Sequence, residues 1–453
     1  MAMTAAAETV YHCEFAYLGG EAAQPDVQIA VTDGRITSMT PRAARVPHAE
    51  FLRGLTLPGL ANTHSHVFHR AIRGRTQTGA ADFWQWRNVM YQAASRLTPD
   101  NIYALARATY GEMLAAGITS VGEFFYVHHR GDGTPYGDLN EMGLTVARAA
   151  ADAGIRLTLL DTCYLQAGVD GAAPEGAQIR YSDGSWQAWA ERVDALRSGL
   201  AGEPLIRVGA AIHSVRAVPR AAMAPIAEFC RDRDMPLHAH VSEQPAENEA
   251  CLAVHGLTPV ELLAAEGVLS PSFTAVHATH LTDRDIGLLG DSGSLISMCP
   301  TTERDLADGV GPAIRLASAG SALTVGSDGH MMIDLLEEGR AIELDERLVT
   351  GVRGHLTAAQ IARAITTDGA RSIGLPAGGL AVGSPADMTT IRLDSVRTAG
   401  ARSGDVLAHV IFAATASDVD SVILGGRRVL RAGTYLADPD LGTTLDRAIA
   451  ALW

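Results

Sequence analysis

Lysine is missing from this chain: of 453 residues, 36 are basic, and every one is arginine. That excludes a Schiff-base lysine, a pyridoxal phosphate anchor and a phosphate-loop lysine. It equally excludes a carbamylated lysine bridging two metal ions. Cysteine is scarce, with Cys13, Cys163, Cys230, Cys251 and Cys299 scattered, odd in number and never in a C-x-x-C pair. The pattern fits reduced thiols in a cytoplasmic protein and speaks against a disulfide framework or a thiolate metal site. Positive charge is short as well, 51 acidic residues against 36 basic giving a formal charge of −15. Nucleic acid and anionic membranes need a basic footprint, so neither is an expected partner. An anionic substrate would have to be held by a local group of arginines. No apolar run reaches membrane-spanning length, and Met1–Glu8 has neither the basic start nor the apolar stretch of a signal peptide.

What is present is apolar residues at 47% and 46 glycines, a composition suited to a soluble α/β protein with a large core. Short alternating strands fill the first 57 residues, for example Gln28–Val31 and Arg35–Met39 on either side of an Asp33-Gly34 hairpin turn. A second strand-rich region covers Ala386–Ile391, Ser421–Leu424 and Gly425–Leu430. The two predict one small β domain assembled from both ends, 1–57 and 376–438, followed by a helix over 439–453. Residues 58–375 alternate apolar strands with helical stretches such as Thr98–Ala116 and Pro219–Arg233. Eight strands are predicted: the one ending at His66, then 118–124, 156–161, 206–213, 236–241, 273–277, 294–299 and 322–328. Eight βα units are the count of a (β/α)8 barrel, whose chemistry sits at the carboxyl ends of its strands.

The stretch Leu57-Pro58-Gly59-Leu60-Ala61-Asn62-Thr63-His64-Ser65-His66 ends in two histidines one residue apart. Side chains two apart on a strand share a face, so His64 and His66 project together as half of a metal site. Taken alone, the segment reads equally well as a surface strand. Other strand ends carry Glu123 and Tyr126, His213 and Arg216, His238, His240 and Glu243, His277 and His280, and Asp328. A barrel does not need imidazoles and carboxylates there for packing.

This set resembles the amidohydrolase superfamily, in which a first-strand His-x-His pair, a fifth-strand histidine and an eighth-strand aspartate bind metal. The resemblance implies a barrel of the amidohydrolase type with a small β-sandwich domain. It implies His64, His66, His240 and Asp328 as ligands and, without lysine, the single-metal branch that contains the deaminases. Zinc suits such a set, with Fe2+ as the alternative. By analogy His277 and Asp328 handle the proton of the attacking water, and Glu243 delivers one to the departing nitrogen. Arg87 and Arg216, on separate loops, could each clamp a carboxylate bidentately, Arg87 beside the aromatic run Asp82-Phe83-Trp84-Gln85-Trp86.

Within the superfamily these segments, with Val276–His280 and His240–Gln244, look like the formimidoylglutamate deiminases, which release ammonia from N-formimino-L-glutamate in histidine degradation. In that family the residues matching Arg87, Tyr126, His213 and Arg216 hold the two carboxylates. The chain departs at His69, where that family has a glutamine that touches substrate and a histidine can still bind it by donating to a carboxylate, and in Glu303-Arg304-Asp305. Arg304 either adds an anion contact or reaches outward. His238 is expected to be structural, one layer deeper; His280, His330 and His128-His129 are not expected as ligands. The alternatives are a deaminase of a purine, pyrimidine or related ring amidine, and a non-catalytic scaffold. A homodimer is what the resemblance implies.

Overall fold

A computed structural model describes residues 8–77, 83–376 and 379–453, with side chains omitted at 83 and 84. Eight parallel strands follow one another in chain order around its centre. They are β1 (Leu60–Ser65), β2 (Ile118–Phe125), β3 (Arg156–Cys163), β4 (Ile206–Ile212), β5 (Leu237–Val241), β6 (Phe273–His277), β7 (Leu295–Met298) and β8 (Ala322–Val325). Helices such as Pro99–Ala115 and Arg220–Arg231 connect them. The first of these starts on a reciprocal cap, in which Thr98 accepts from the Asn101 amide and Asn101 accepts from the Thr98 amide. Every residue of β2, β5 and β6 is buried, as a parallel sheet covered on both faces requires.

The barrel closes through the residues that flank the histidine pair. β8 meets β1 by a single parallel bridge, Ser65 to Asp328, and the Asp328 amide donates to the His64 carbonyl at 3.0 Å. Asn62 completes the seam, accepting from the Ser327 amide at 2.9 Å and donating to its hydroxyl at 2.7 Å. Gly326 permits this approach, since a Cβ there would lie 2.6 Å from the His64 Cβ.

Strands from both ends of the chain join in one eight-stranded mixed sheet: Thr9–Ala16, Gln24–Thr32, Arg35–Thr40 and Glu50–Pro58 with Met388–Ile391, Val419–Leu424, Arg427–Arg431 and Thr434–Tyr435. Asp33 and Gly34 both have positive φ, the requirement of a two-residue hairpin turn that matches strand twist. The sheet curls until that hairpin meets the segment before Met388, with the Ile36 amide on the Ser384 carbonyl at 3.0 Å and the Ala386 amide on the Gly34 carbonyl at 2.8 Å. Val27, Ile29, Leu52, Met388 and Ile423 are buried inside the curl.

Three local expectations are corrected. Leu57 and Pro58 pair with Thr389 and Met388 and end a strand of the small sheet, so the opening stretch is two strands divided at Gly59. Ser327 and Asp328 lie beyond the β8 ladder, because Gly326 turns the backbone onto β1. The aromatic run after β1 is helical, Phe83–Ser95, rather than loop; Asp82 falls outside the described residues.

Candidate metal centre and active site

His64 and His66 share a face, their rings 4.7 Å apart, at the carboxyl end of β1. The His66 Nδ1–H donates to the Phe124 carbonyl at 2.8 Å, and the His240 Nδ1–H donates to the His213 carbonyl at 3.0 Å. A carbonyl only accepts, so both imidazoles carry their proton on Nδ1 and present a lone pair at Nε2. Burial holds His66 down to about 3 and His240 well below its ordinary value, which keeps both rings neutral. His240 Nε2 lies 3.1 Å from His64 Nε2. Asp328 Oδ1 lies 3.3 Å from His64 Nε2 and 3.4 Å from His66 Nε2. Imidazole lone pairs and a carboxylate converging on one buried point are a donor set for a divalent cation, each imidazole oriented from behind by a carbonyl.

His277, at the end of β6, faces three carboxylates. Its Nδ1 lies 3.3 Å from Glu303 Oε1, and its Nε2 lies 3.7 Å from both Glu243 Oε1 and Asp328 Oδ2. Burial opposes a charge on this ring, but Glu243, Glu303 and Asp328 outweigh it and push it up to about 10. Burial also raises the Glu243 carboxyl, against the pull of His277 and Arg216. Asp328 is held far down despite burial, chiefly by His64 and His277. The backbone is strained around the same point: Ser242, His277, Ala278, Asp328 and His330 all have positive φ without being glycine. Such conformations cost about 1–3 kcal/mol each and cluster where side-chain aim matters.

A cavity opens above these groups. Arg87, Arg216, His213, Tyr126 and His69 line it beside His66, His240, Glu243, His277 and Asp328, while His64 is fully buried. All of the sequence-predicted site residues are therefore gathered in one place. The Arg216 Nε–H donates to Glu247 Oε2 at 2.8 Å, and its Nη2 lies 3.7 Å from Glu243. Glu247 Oε1 accepts from the Ser242 amide at 3.0 Å, tying Arg216 to the turn between His240 and Glu243. Arg87 donates to the Tyr91 hydroxyl at 2.7 Å, and His69 Nε2 lies 3.3 Å from the Tyr126 hydroxyl.

Other histidines have structural partners. His238 bonds the Ser372 carbonyl, His280 the Asp308 carbonyl, and His330 the Ser65 hydroxyl. Arg304 reaches outward, to Asp345 at 2.9 Å and Glu337 at 3.4 Å. Sequence reasoning missed Glu247, Glu303, Asp308, Tyr164 and Tyr181. Glu247 and Glu303 each sit in the first turn of a helix directly after a barrel strand, a position ordinarily occupied by acids that answer the helix dipole. Asp308 takes a bond from the Gln244 side chain, and burial with the nearby Glu243 charge pushes its carboxyl up to about 9.

A family profile described as "Amidohydrolase family" matches residues 55–429. A formimidoylglutamate deiminase of Pseudomonas aeruginosa is 36% identical over 418 residues, covering 90% of this chain and 91% of that protein. The crystal structure of an amidohydrolase from Brucella melitensis superposes with a TM-score of 0.91 at 31% identity, over 98% of this chain and 99% of the other. That of an adenosine deaminase from Xanthomonas campestris with bound zinc does so at 0.84 and 23%, over 98% and 97%.

Proposed function

The chain belongs to the amidohydrolase family, and on that premise we propose that it hydrolyses N-formimino-L-glutamate to N-formyl-L-glutamate and ammonia. The observation that carries this reading is that two arginines from separate elements, Arg87 and Arg216, line the same cavity as His277, Glu243 and Asp328. A flat base does not call for two cationic forks; a substrate with two carboxylates does. The name of the Pseudomonas aeruginosa relative points the same way.

His64, His66, His240 and Asp328 would hold the metal, and three imidazoles with one carboxylate suit zinc, with Fe2+ as the alternative. When bound, such an ion makes a water acidic enough to act as nucleophile near neutral pH. Arg87 and Arg216, with His213 and Tyr126, bind the two carboxylates and set the amidine carbon over the histidines. His69 orients the Tyr126 hydroxyl. Without a cation on Asp328 the His277 ring is charged; with one, Nε2, facing Glu243 and Asp328 at 3.7 Å each, would be free to take up the water proton as oxygen adds to the C=N carbon. Glu243 protonates the nitrogen, the proton held on His277 follows it there, and the C–N bond breaks as the hydroxyl proton of the adduct returns to Glu243, leaving the amide product and ammonia.

A second reading, deamination of a ring amidine, is favoured by the aromatic lining of Trp86, Tyr91, Tyr126, Tyr164 and Tyr181. Ammonia release from N-formimino-L-glutamate, guanine, cytosine and adenosine, measured side by side, separates the two. Turnover of the first alone is expected; turnover of a ring substrate alone sinks the proposal. Arg216→Met should lose at least about 10-fold in kcat/KM on N-formimino-L-glutamate through loss of a charge-assisted pair. Because that change also leaves Glu247 without its guanidinium, Arg87→Met should be measured beside it and show the same loss.

A further inference from the structure

We propose that Glu303 is a positioning residue that sets the tautomer and aim of His277, an inference that rests on His277 acting as the proton acceptor above. Glu303 is 4% exposed, in the first turn of the short helix Pro300–Asp305 that follows β7. A carboxylate in so short a helix, buried rather than solvated, needs a reason to be there. One oxygen carries the contacts: Glu303 Oε1 accepts from the Cys299 amide at 2.8 Å and faces His277 Nδ1 at 3.3 Å. The Cys299 amide is fixed by the end of β7, so the carboxylate is anchored to the barrel and not to the side chain it faces.

The consequence for His277 follows from proton counting. Glu303 as a carboxylate can only accept, so the Nδ1 that faces it carries the proton. His277 Nε2 is then the atom that faces Glu243 and Asp328. The His277 backbone has φ of 67° and Ala278 one of 53°, so the chain itself holds the ring in a conformation its residue type disfavours. Turning the ring over would bring a lone pair against the Glu303 carboxylate, which locks the orientation. Glu303 also carries its backbone carbonyl to the Asp308 amide at 2.9 Å, so the same helix turn places Asp308 behind Gln244. Histidines that do chemistry are regularly oriented by a carboxylate in this way, and here the carboxylate comes from the neighbouring strand end.

Glu303→Ala and Glu303→Gln would be purified with metal, and zinc per chain, kcat and KM measured with N-formimino-L-glutamate. Glu303→Ala should lower kcat about 10–100-fold with KM within a few-fold and zinc unchanged. Glu303→Gln keeps an oxygen that can accept from both N–H groups and should recover most of that loss. In a His277→Gln background, adding Glu303→Ala should cost nothing further, because the two act through one group. An additive loss in that background, or a rise in KM at constant kcat, overturns the proposal. A second readout needs no turnover: in 15N-histidine-labelled holoenzyme the His277 Nδ1–H resonance should persist in Glu303→Gln and vanish in Glu303→Ala. If the wild type does not act on N-formimino-L-glutamate the substrate reading fails, while that resonance still decides the link between Glu303 and His277; its persistence in Glu303→Ala refutes it.

Discussion

Two clusters of buried histidine and aspartate stand at strand ends of one barrel, and they are built in opposite ways. The cluster beside β3 holds Asp161, Asp183, His128 and His129 around Arg192. Arg192 donates to both Asp161 oxygens, at 2.8 and 2.7 Å, and to both Asp183 oxygens, at 3.0 and 3.1 Å. The Trp189 indole adds a bond to Asp161 at 3.0 Å, and His129 one to Asp183 at 3.0 Å. His128 bonds the Thr162 carbonyl, and burial brings it down to about 4. Among the described residues the cluster at β1, β5 and β8 has no guanidinium in contact with it; its imidazoles turn lone pairs toward Asp328. Burying a carboxylate demands a compensating cation. In the first cluster the chain supplies its own, which makes it a structural joint. In the second the side chains form a donor set for a cation from outside, the reading proposed above.

The comparison breaks most visibly at Asp328. Asp328→Ala should reduce bound zinc from about one per chain to a small fraction and take turnover with it, as loss of one of four ligands implies. Its apoprotein should unfold at nearly the same denaturant concentration as wild-type apoprotein. Metal content by elemental analysis and ammonia release read the first effect, and denaturation in chelator reads the second. A variant that retains a full complement of zinc would remove Asp328 from the ligand set and with it the contrast.

Arg192→Ala is the converse. Removing the cation from a buried ion-pair network typically costs about 3–5 kcal/mol, because two carboxylates are left uncompensated. Stability should fall by that order in urea titration, while the protein that remains folded binds zinc and releases ammonia at close to the wild-type kcat. A stability loss under 1 kcal/mol would mean that water replaces the guanidinium, and the joint would not be one.

The difference between the clusters also explains what could be read from the sequence. The gathering of His64, His66, His240 and Asp328 was legible because residue type and strand-end position coincide there, and each strand shows itself as a short apolar run. The Asp33-Gly34 hairpin was legible because both residues tolerate positive φ. The division at Gly59 was not, since Leu57 and Pro58 are as apolar as Leu60 and Ala61 and only tertiary pairing separates them. Nor was the Asp161–Arg192 joint, whose partners stand 31 residues apart on a strand and a helix, each ordinary in its own context. Glu303 and Arg304 show the same limit within two residues: one turns inward to His277 and the other outward to Asp345, and a helix of six residues has no periodicity long enough to say which.

The finest test of the contrast is the acid limb of stability. Burial alone would raise the Asp183 carboxyl, but His129 and Arg192 prevail and hold it below the usual carboxylate range. A group whose folded value is depressed contributes stability above its unfolded value, about 3.9 for aspartate, and that contribution is lost as pH falls through the lower folded value. Asp183→Asn should therefore be less stable than wild type at pH 7, by about 1.5–3 kcal/mol for each charge-assisted bond weakened. The gap should narrow steadily below about pH 4, as the unfolded wild-type chain takes up a proton on this carboxyl that the folded chain still refuses. Urea midpoints from pH 7 down to pH 2.5 measure it, with metal chelated so that its loss in acid does not enter; protonation of the buried histidines His64, His66 and His240 on unfolding is common to both proteins and cancels in the gap. A gap that stays constant over this range would mean that Asp183 acts through packing and neutral hydrogen bonds, and that the β3 joint is not held by charge.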